Sequence, residues 1–168
     1  MKSYRDTSVP WGTTQGQIVK MLSDRDINDV QFTNISKETA ERSGLSLEDG
    51  TIAIILVFQK LVQLPDGTSG MIPVRIMVPN VYTDNRSLNQ YYRLLYWYLK
   101  SKFEAIDTGL VEFAEEFMAH LQIGDNRGGF GRLWDKFKGG YYKAIGSGTM
   151  PESNLLPPLT KEDGDENN

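Results

Sequence analysis

The chain has 168 residues, 39% hydrophobic and 24% charged, the length and composition of one globular domain with an extensive core. It has no cysteine and one histidine, which excludes disulfides and thiolate metal sites, and it implies no metal or other cofactor. The net charge of −4 is concentrated at the end, where KEDGDENN (161–168) holds four acids and one lysine and leaves the body near neutrality.

The opening MKSYRDTSVPWG has no apolar centre and no small-residue cleavage site, which argues against a secretory signal. No apolar run reaches the roughly 18 residues of a membrane span, so a cytoplasmic protein is expected. TSVPWGTTQGQIVKMLSDRDI reads as a loop and then a helix, capped at Thr13 or Thr14, with Ile18, Met21 and Leu22 on its inner stripe. Within it, DRDINDV starts like a calcium loop. Asp29 stands where that loop needs glycine and Ile35 where it needs glutamate, so calcium is excluded. DVQFTNIS (29–36) is a short strand, and SKETAERSGLSLEDG (36–50) is a polar excursion with a turn or two of helix ending at Gly44.

TIAIILVFQKLVQL is the strongest strand signal, apolar on both faces from Ile52 to Phe58. PDGTSG reverses the chain, and MIPVRIMVPNVY returns as a strand that Pro73 and Pro79 confine to an edge or interrupt. The period then becomes helical. Leu88, Tyr92, Leu95, Leu99, Phe103, Ile106 and Leu110 form one stripe, opened by a Ser87/Gln90 capping box and ended or kinked at Gly109. Phe113, Phe117 and Leu121 predict a second, shorter helix. IGDNRGGFG (123–131) reads as a loop, and RLWDKFKGGYYKAIGSG as a helix broken at Gly139 and Gly140. The order predicts an α+β fold: an N-terminal helix, a three-stranded antiparallel sheet with a long hairpin, and a long covering helix followed by shorter helices. Residues 1–150 are expected as one domain, with 151–168 an extended or disordered acidic tail.

His120, the only histidine, lies four residues after Glu116. On a helix the two would share a face, as a general acid–base pair or as an ordinary surface pair; without a metal-binding or nucleophile motif around them, packing is the expected role. NRGGFG lacks the spacing of a phosphate-cradling loop. A denser signal follows. Arg127, Arg132, Lys136, Lys138 and Lys143 are interleaved with Phe130, Trp134, Phe137, Tyr141 and Tyr142 against a single acid, Asp135. Cations can take phosphates there while bases stack on the rings, although the same aromatics at helical spacing also suit a core. On the long helix, Arg93, Trp97, Lys100 and Glu104 fall away from the core stripe. They form a second basic–aromatic face unless Arg93 stacks on Trp97 and Lys100 pairs with Glu104.

Several segments resemble a family of small uncharacterised proteins encoded by bacteriophages, prophages and other mobile elements. The resemblance rests on Ser8–Val9–Pro10, Lys100–Lys102–Phe103–Glu104–Ala105, Glu115 to His120, Met150–Pro151 and Leu155–Leu156–Pro157. Two departures are the longer stretch around 36–50 and GDNRGGFG in place of a shorter turn. The resemblance implies a host-cell, mobile-element context and transfers no catalytic residue. The expectation is a non-enzymatic accessory protein that binds single-stranded nucleic acid in replication or recombination. Its site would comprise Arg127, Arg132, Trp134, Lys136, Lys138 and Lys143, with Arg93, Trp97 and Lys100. The alternative is a protein-interaction module that inhibits a host or defence factor, or a homo-oligomeric structural protein.

Overall fold

The computed structural model describes residues 7–42, 45–63, 66–124 and 130–134. All of them belong to one compact unit that ends at Trp134, so the expected domain limit at 150 and the tail lie outside the described residues. The fold is α+β as the sequence predicts. Its elements are α1 (Trp11–Ser23), β1 (Val30–Ser36), α2 (Lys37–Arg42), β2 (Thr51–Gln63), β3 (Ser69–Tyr82), α3 (Asn85–Asp107) and α4 (Phe113–Glu116). A 3-10 turn (Met118–His120) and a small ribbon of β4 (Gln122–Gly124) and β5 (Phe130–Arg132) follow. No described helix is long and apolar enough to cross a membrane.

The sheet is antiparallel in the order β1-β2-β3. β2 is central, and its even-numbered residues Ile54, Leu56 and Phe58 face the main core with Val74 and Ile76 of β3. α1 and α3 close that face. Ile18 and Leu22 come from α1, and Tyr92, Leu95, Leu99 and Phe103 from α3, all buried. Against the opposite face, Ala53 meets Ala40 of α2 and Leu47, with Ile35, Leu45 and Met77 around them. The excursion between β1 and β2 is therefore the cover of the sheet's outer side.

Several boundaries differ from the sequence expectation. α1 starts at Trp11 after Pro10, and Thr14 is fully buried in its first turn rather than capping it. α3 is capped by Asp84, whose carboxylate accepts the Ser87 N–H at 3.0 Å; Ser87 and Gln90 form no capping box. That bond holds the Asp84 carboxyl below the usual carboxylate range. At the other end, the Gly109 N–H bonds the Ile106 carbonyl and the Leu110 N–H the Ala105 carbonyl, while Gly109 has φ +72°. This pattern closes a helix on a left-handed residue, so the stripe stops at Ile106. Leu110 lies beyond it, 77% exposed. The expected second helix splits at Phe117 into α4 and the 3-10 turn, because Phe117 is drawn inward against Phe58, Phe103 and Phe113. IGDNRGGFG is not wholly a loop, since its ends pair as β4 and β5.

Replacing Leu99 by alanine is expected to cost about 2–5 kcal/mol in urea denaturation, as for fully buried leucines. Leu110→Ala is expected to stay within about 0.5 kcal/mol. Equal losses would show that Leu110 is core and that the helix end is misplaced.

Candidate functional site

α3 carries two chemically distinct flanks, set by its turn of about 100° per residue. On one flank lie Arg93, Tyr96, Trp97 and Lys100, turned toward α1. The Arg93 guanidinium donates to the Gln17 side chain at 2.7 Å and stands 4.6 Å from the centre of the Tyr96 ring and 5.4 Å from that of Trp97. The Lys100 ammonium is 5.0 Å from the Trp97 ring and 3.6 Å from the Glu104 carboxylate. Trp97 is half-buried, and its Nε1–H, shielded from solvent, finds no acceptor among the described residues. Between α1 and α3 runs an open cleft of about 310 Å³, lined by Gln17, Lys20, Arg25, Tyr96, Lys100 and Glu104 among others. Its charges are matched: Lys20 pairs with Asp24 at 2.9 Å, and Arg25 bonds Asp107 while lying over the Phe103 ring.

The other flank faces α4 and the 3-10 turn. The Tyr98 hydroxyl and His120 Nε2 share a hydrogen bond of 2.5 Å, with the two rings edge to face. Lys102 donates to the Glu116 carboxylate at 2.7 Å and to the Glu116 carbonyl at 2.8 Å, its ammonium resting over the Tyr98 and Phe117 rings. Only 13% of the Lys102 side chain and 24% of the Glu116 side chain meet solvent. The Glu116–His120 pair weighed from the sequence does not form. Phe117 interrupts the helix, so residues four apart no longer share a face, and each finds its partner on α3 instead. Burial, aided by the Lys102 and Arg132 charges, lowers the pKa of His120 below its ordinary 6.5 and favours the neutral ring. Neither Tyr98 nor His120 lines the α1–α3 cleft. The chemistry of this cluster is a polar clasp between α3 and α4.

The sequence-predicted binding residues are thus divided. Arg93, Trp97 and Lys100 sit together on the α1 flank. Arg132 is exposed beside His120, and Trp134 is half-buried at the end of the described chain. Tyr98, which holds His120, and Lys100 point about 160° apart around α3, so the described members do not form one surface. Arg127, Lys136, Lys138 and Lys143 lie outside the described residues. The two intramolecular contacts weighed from the sequence, Arg93 on Trp97 and Lys100 with Glu104, are both present.

One surface went unnoticed in the sequence. β1 pairs with β2 only as far as Phe58, leaving Gln59–Gln63 of β2 and Ser69–Pro73 of β3 as a hairpin end without that third strand. There Leu61 and Met71 are direct cross-strand partners on the outer face, 56% and 49% exposed. Val62 and Ile72, on the other face, still pack on the core. The signal was available, because both residues stand five positions from Asp66 in the turn.

No family model, curated protein or solved structure matches the chain. Function has to be argued from the residues themselves.

The clasp gives a pH dependence with a definite sign. With the folded-state pKa of His120 below the unfolded 6.5, the unfolded chain takes up the proton first. His120 therefore causes no loss above about pH 7, and stability falls as the pH drops through 6.5 toward the folded value. Melting temperature is expected to decline over that window in the native chain and less steeply in His120→Gln. Superimposable pH profiles would place the acid sensitivity elsewhere.

Proposed function

We propose that this chain is a non-enzymatic accessory protein of a phage or other mobile element, and that it acts by binding another protein. The observation that carries the reading is the hairpin end beyond β1, where Leu61 and Met71 stand opposite each other across the strands, each about half exposed. Nothing in the packing of the described residues requires two large apolar side chains side by side at that position. An adjacent exposed apolar pair at the end of a β-hairpin suits a partner surface.

A nucleic-acid partner has less support among the described residues. Arg93 and Lys100 are already engaged with Gln17 and Glu104 and lie over the rings that bases would need. Acids Asp24, Glu104 and Asp107 alternate with the cations of that flank and would repel phosphate. That reading rests on Arg132, which is exposed, and on Arg127, Lys136, Lys138 and Lys143, outside the described residues.

Two measurements test the proposal together. Anisotropy of a labelled single-stranded oligonucleotide is expected to show no tight, salt-sensitive binding. Affinity capture from a bacterial host lysate is expected to retain a defined partner, and Leu61→Asp/Met71→Asp is expected to lose it. Because both positions are exposed, the double variant should unfold within about 1 kcal/mol of the native chain. Steeply salt-dependent oligonucleotide binding, or a partner retained equally by the double variant, would reject the proposal.

A further inference from the structure

The two edges of the sheet are built differently. β3 carries Pro73 and Pro79, which have no N–H to offer, together with Arg75 and a left-handed Asn80 at φ +58°. Its Val74 is also bridged to Leu121. These are the devices that stop an edge from recruiting another strand. β1, the opposite edge, has none of them. Its sequence VQFTNIS holds no charge, no proline and no glycine, and three of its seven residues are β-branched. Its pairing with β2 is unbroken from Val30 to Ser36. Among the described residues no strand lies on its outer side.

The charges next to the strand select the occupant. Asp29 immediately precedes β1 and Lys37 immediately follows it. In an antiparallel self-pairing centred on Thr33, Asp29 of each copy falls opposite Lys37 of the other, and Gln31 opposite Ile35. Shifting the centre by one residue to Phe32 or Asn34 sets both charges against neutral positions. Lys37 already bonds Asp49 and lies 3.9 Å from Glu41, but both carboxylates are exposed, and an ammonium has three donors, so a further acceptor can be taken. Antiparallel pairing about a twofold axis is self-complementary: every donor and acceptor that one strand offers is met by its counterpart in the other.

We infer that β1 is the interface to a second copy of this chain, paired antiparallel about Thr33 to give a continuous six-stranded sheet. The inference is independent of the partner proposed for the hairpin end. A seam of seven residues per copy buries less than the roughly 1,200 Å² of a standard interface, so the dimer is expected to dissociate on dilution.

Sedimentation velocity over a concentration series at low salt tests it first. The native chain is expected to shift from monomer to dimer as concentration rises. Asp29→Lys and Lys37→Glu, each of which opposes like charges across the seam, are expected to weaken self-association at least about tenfold. An equimolar mixture of the two is expected to dimerise again, because the opposed pairs are then of opposite sign. The second test uses the absence of native cysteine. Directly opposed residues have Cα atoms about 4.5–5.5 Å apart, within disulfide range. Thr33→Cys is therefore expected to cross-link to a covalent dimer under mild oxidation much faster than Gln31→Cys. A chain that stays monomeric at every concentration overturns the inference. So does a dimer in which Gln31→Cys links as fast as Thr33→Cys, or in which the charge-swapped mixture fails to recover.

Discussion

Strand β2 is the one element whose surroundings constrain all the others. From Ile52 to Phe58 it is paired to β1 on one edge and β3 on the other, with only a shift of register between Ile52 and Ile54 on the β3 side. Both of its faces are covered as well, one by α1 and α3, the other by Ala40 and Leu47. A strand with no wet side has no use for alternation, which is why IAIILVF (52–58) is an unbroken apolar run. The pattern changes where the cover ends. From Gln59 to Gln63 burial alternates between exposed and partly buried, matching the point at which β1 no longer runs alongside. Length of cover, strand pattern and the position of the free hairpin end are one fact expressed three ways.

α3 transmits that arrangement to the rest of the described chain. Its buried row seats it on β2 and β3, and its flanks then fix what packs beside it. On both flanks the means is the same: Arg93, Lys100 and Lys102 each rest over an aromatic ring of the same helix. Such contacts contribute about 0.5–1 kcal/mol at exposed sites and more when shielded from water. They also consume the groups that a phosphate and a base would need. A basic–aromatic sequence pattern is therefore ambiguous in principle, since the residues that can hold a nucleic acid can hold one another equally well.

The fold was largely legible because its signals are periodic. The apolar run of β2, the turn residues between β2 and β3 and the four–three stripe of α3 each extend over enough positions to outweigh local exceptions. What escaped were features decided by single tertiary contacts. Helix periodicity ran through Phe113, Phe117 and Leu121, but Phe117 leaves the helix to join the aromatic cluster around Phe58 and Phe103. That one side chain separates Glu116 from His120 and reassigns them to Lys102 and Tyr98. The Asp84 cap was missed for a similar reason: Ser87 and Gln90 fit a motif, while the nearer carboxylate made the bond. Of the candidate site, the local pairs Arg93–Trp97 and Lys100–Glu104 could be read from helical spacing. The separation of Arg132 from them could not, because it depends on β4 lying beside β3 and carrying β5 with it.

The two surfaces inferred here are related by the geometry of the sheet. β1 would pair antiparallel to its copy, so the two β2–β3 hairpins of a dimer would point in opposite directions. Their Leu61/Met71 ends would then lie at opposite extremes of the six-stranded sheet. Two sites so placed cannot both engage one compact partner, and the gain in apparent affinity that bivalent binding gives on a single target is not available to them. They can instead hold two partners at once. Self-association through β1 would then turn a single contact into a bridge, and dissociation on dilution would undo the bridge without touching the contact itself.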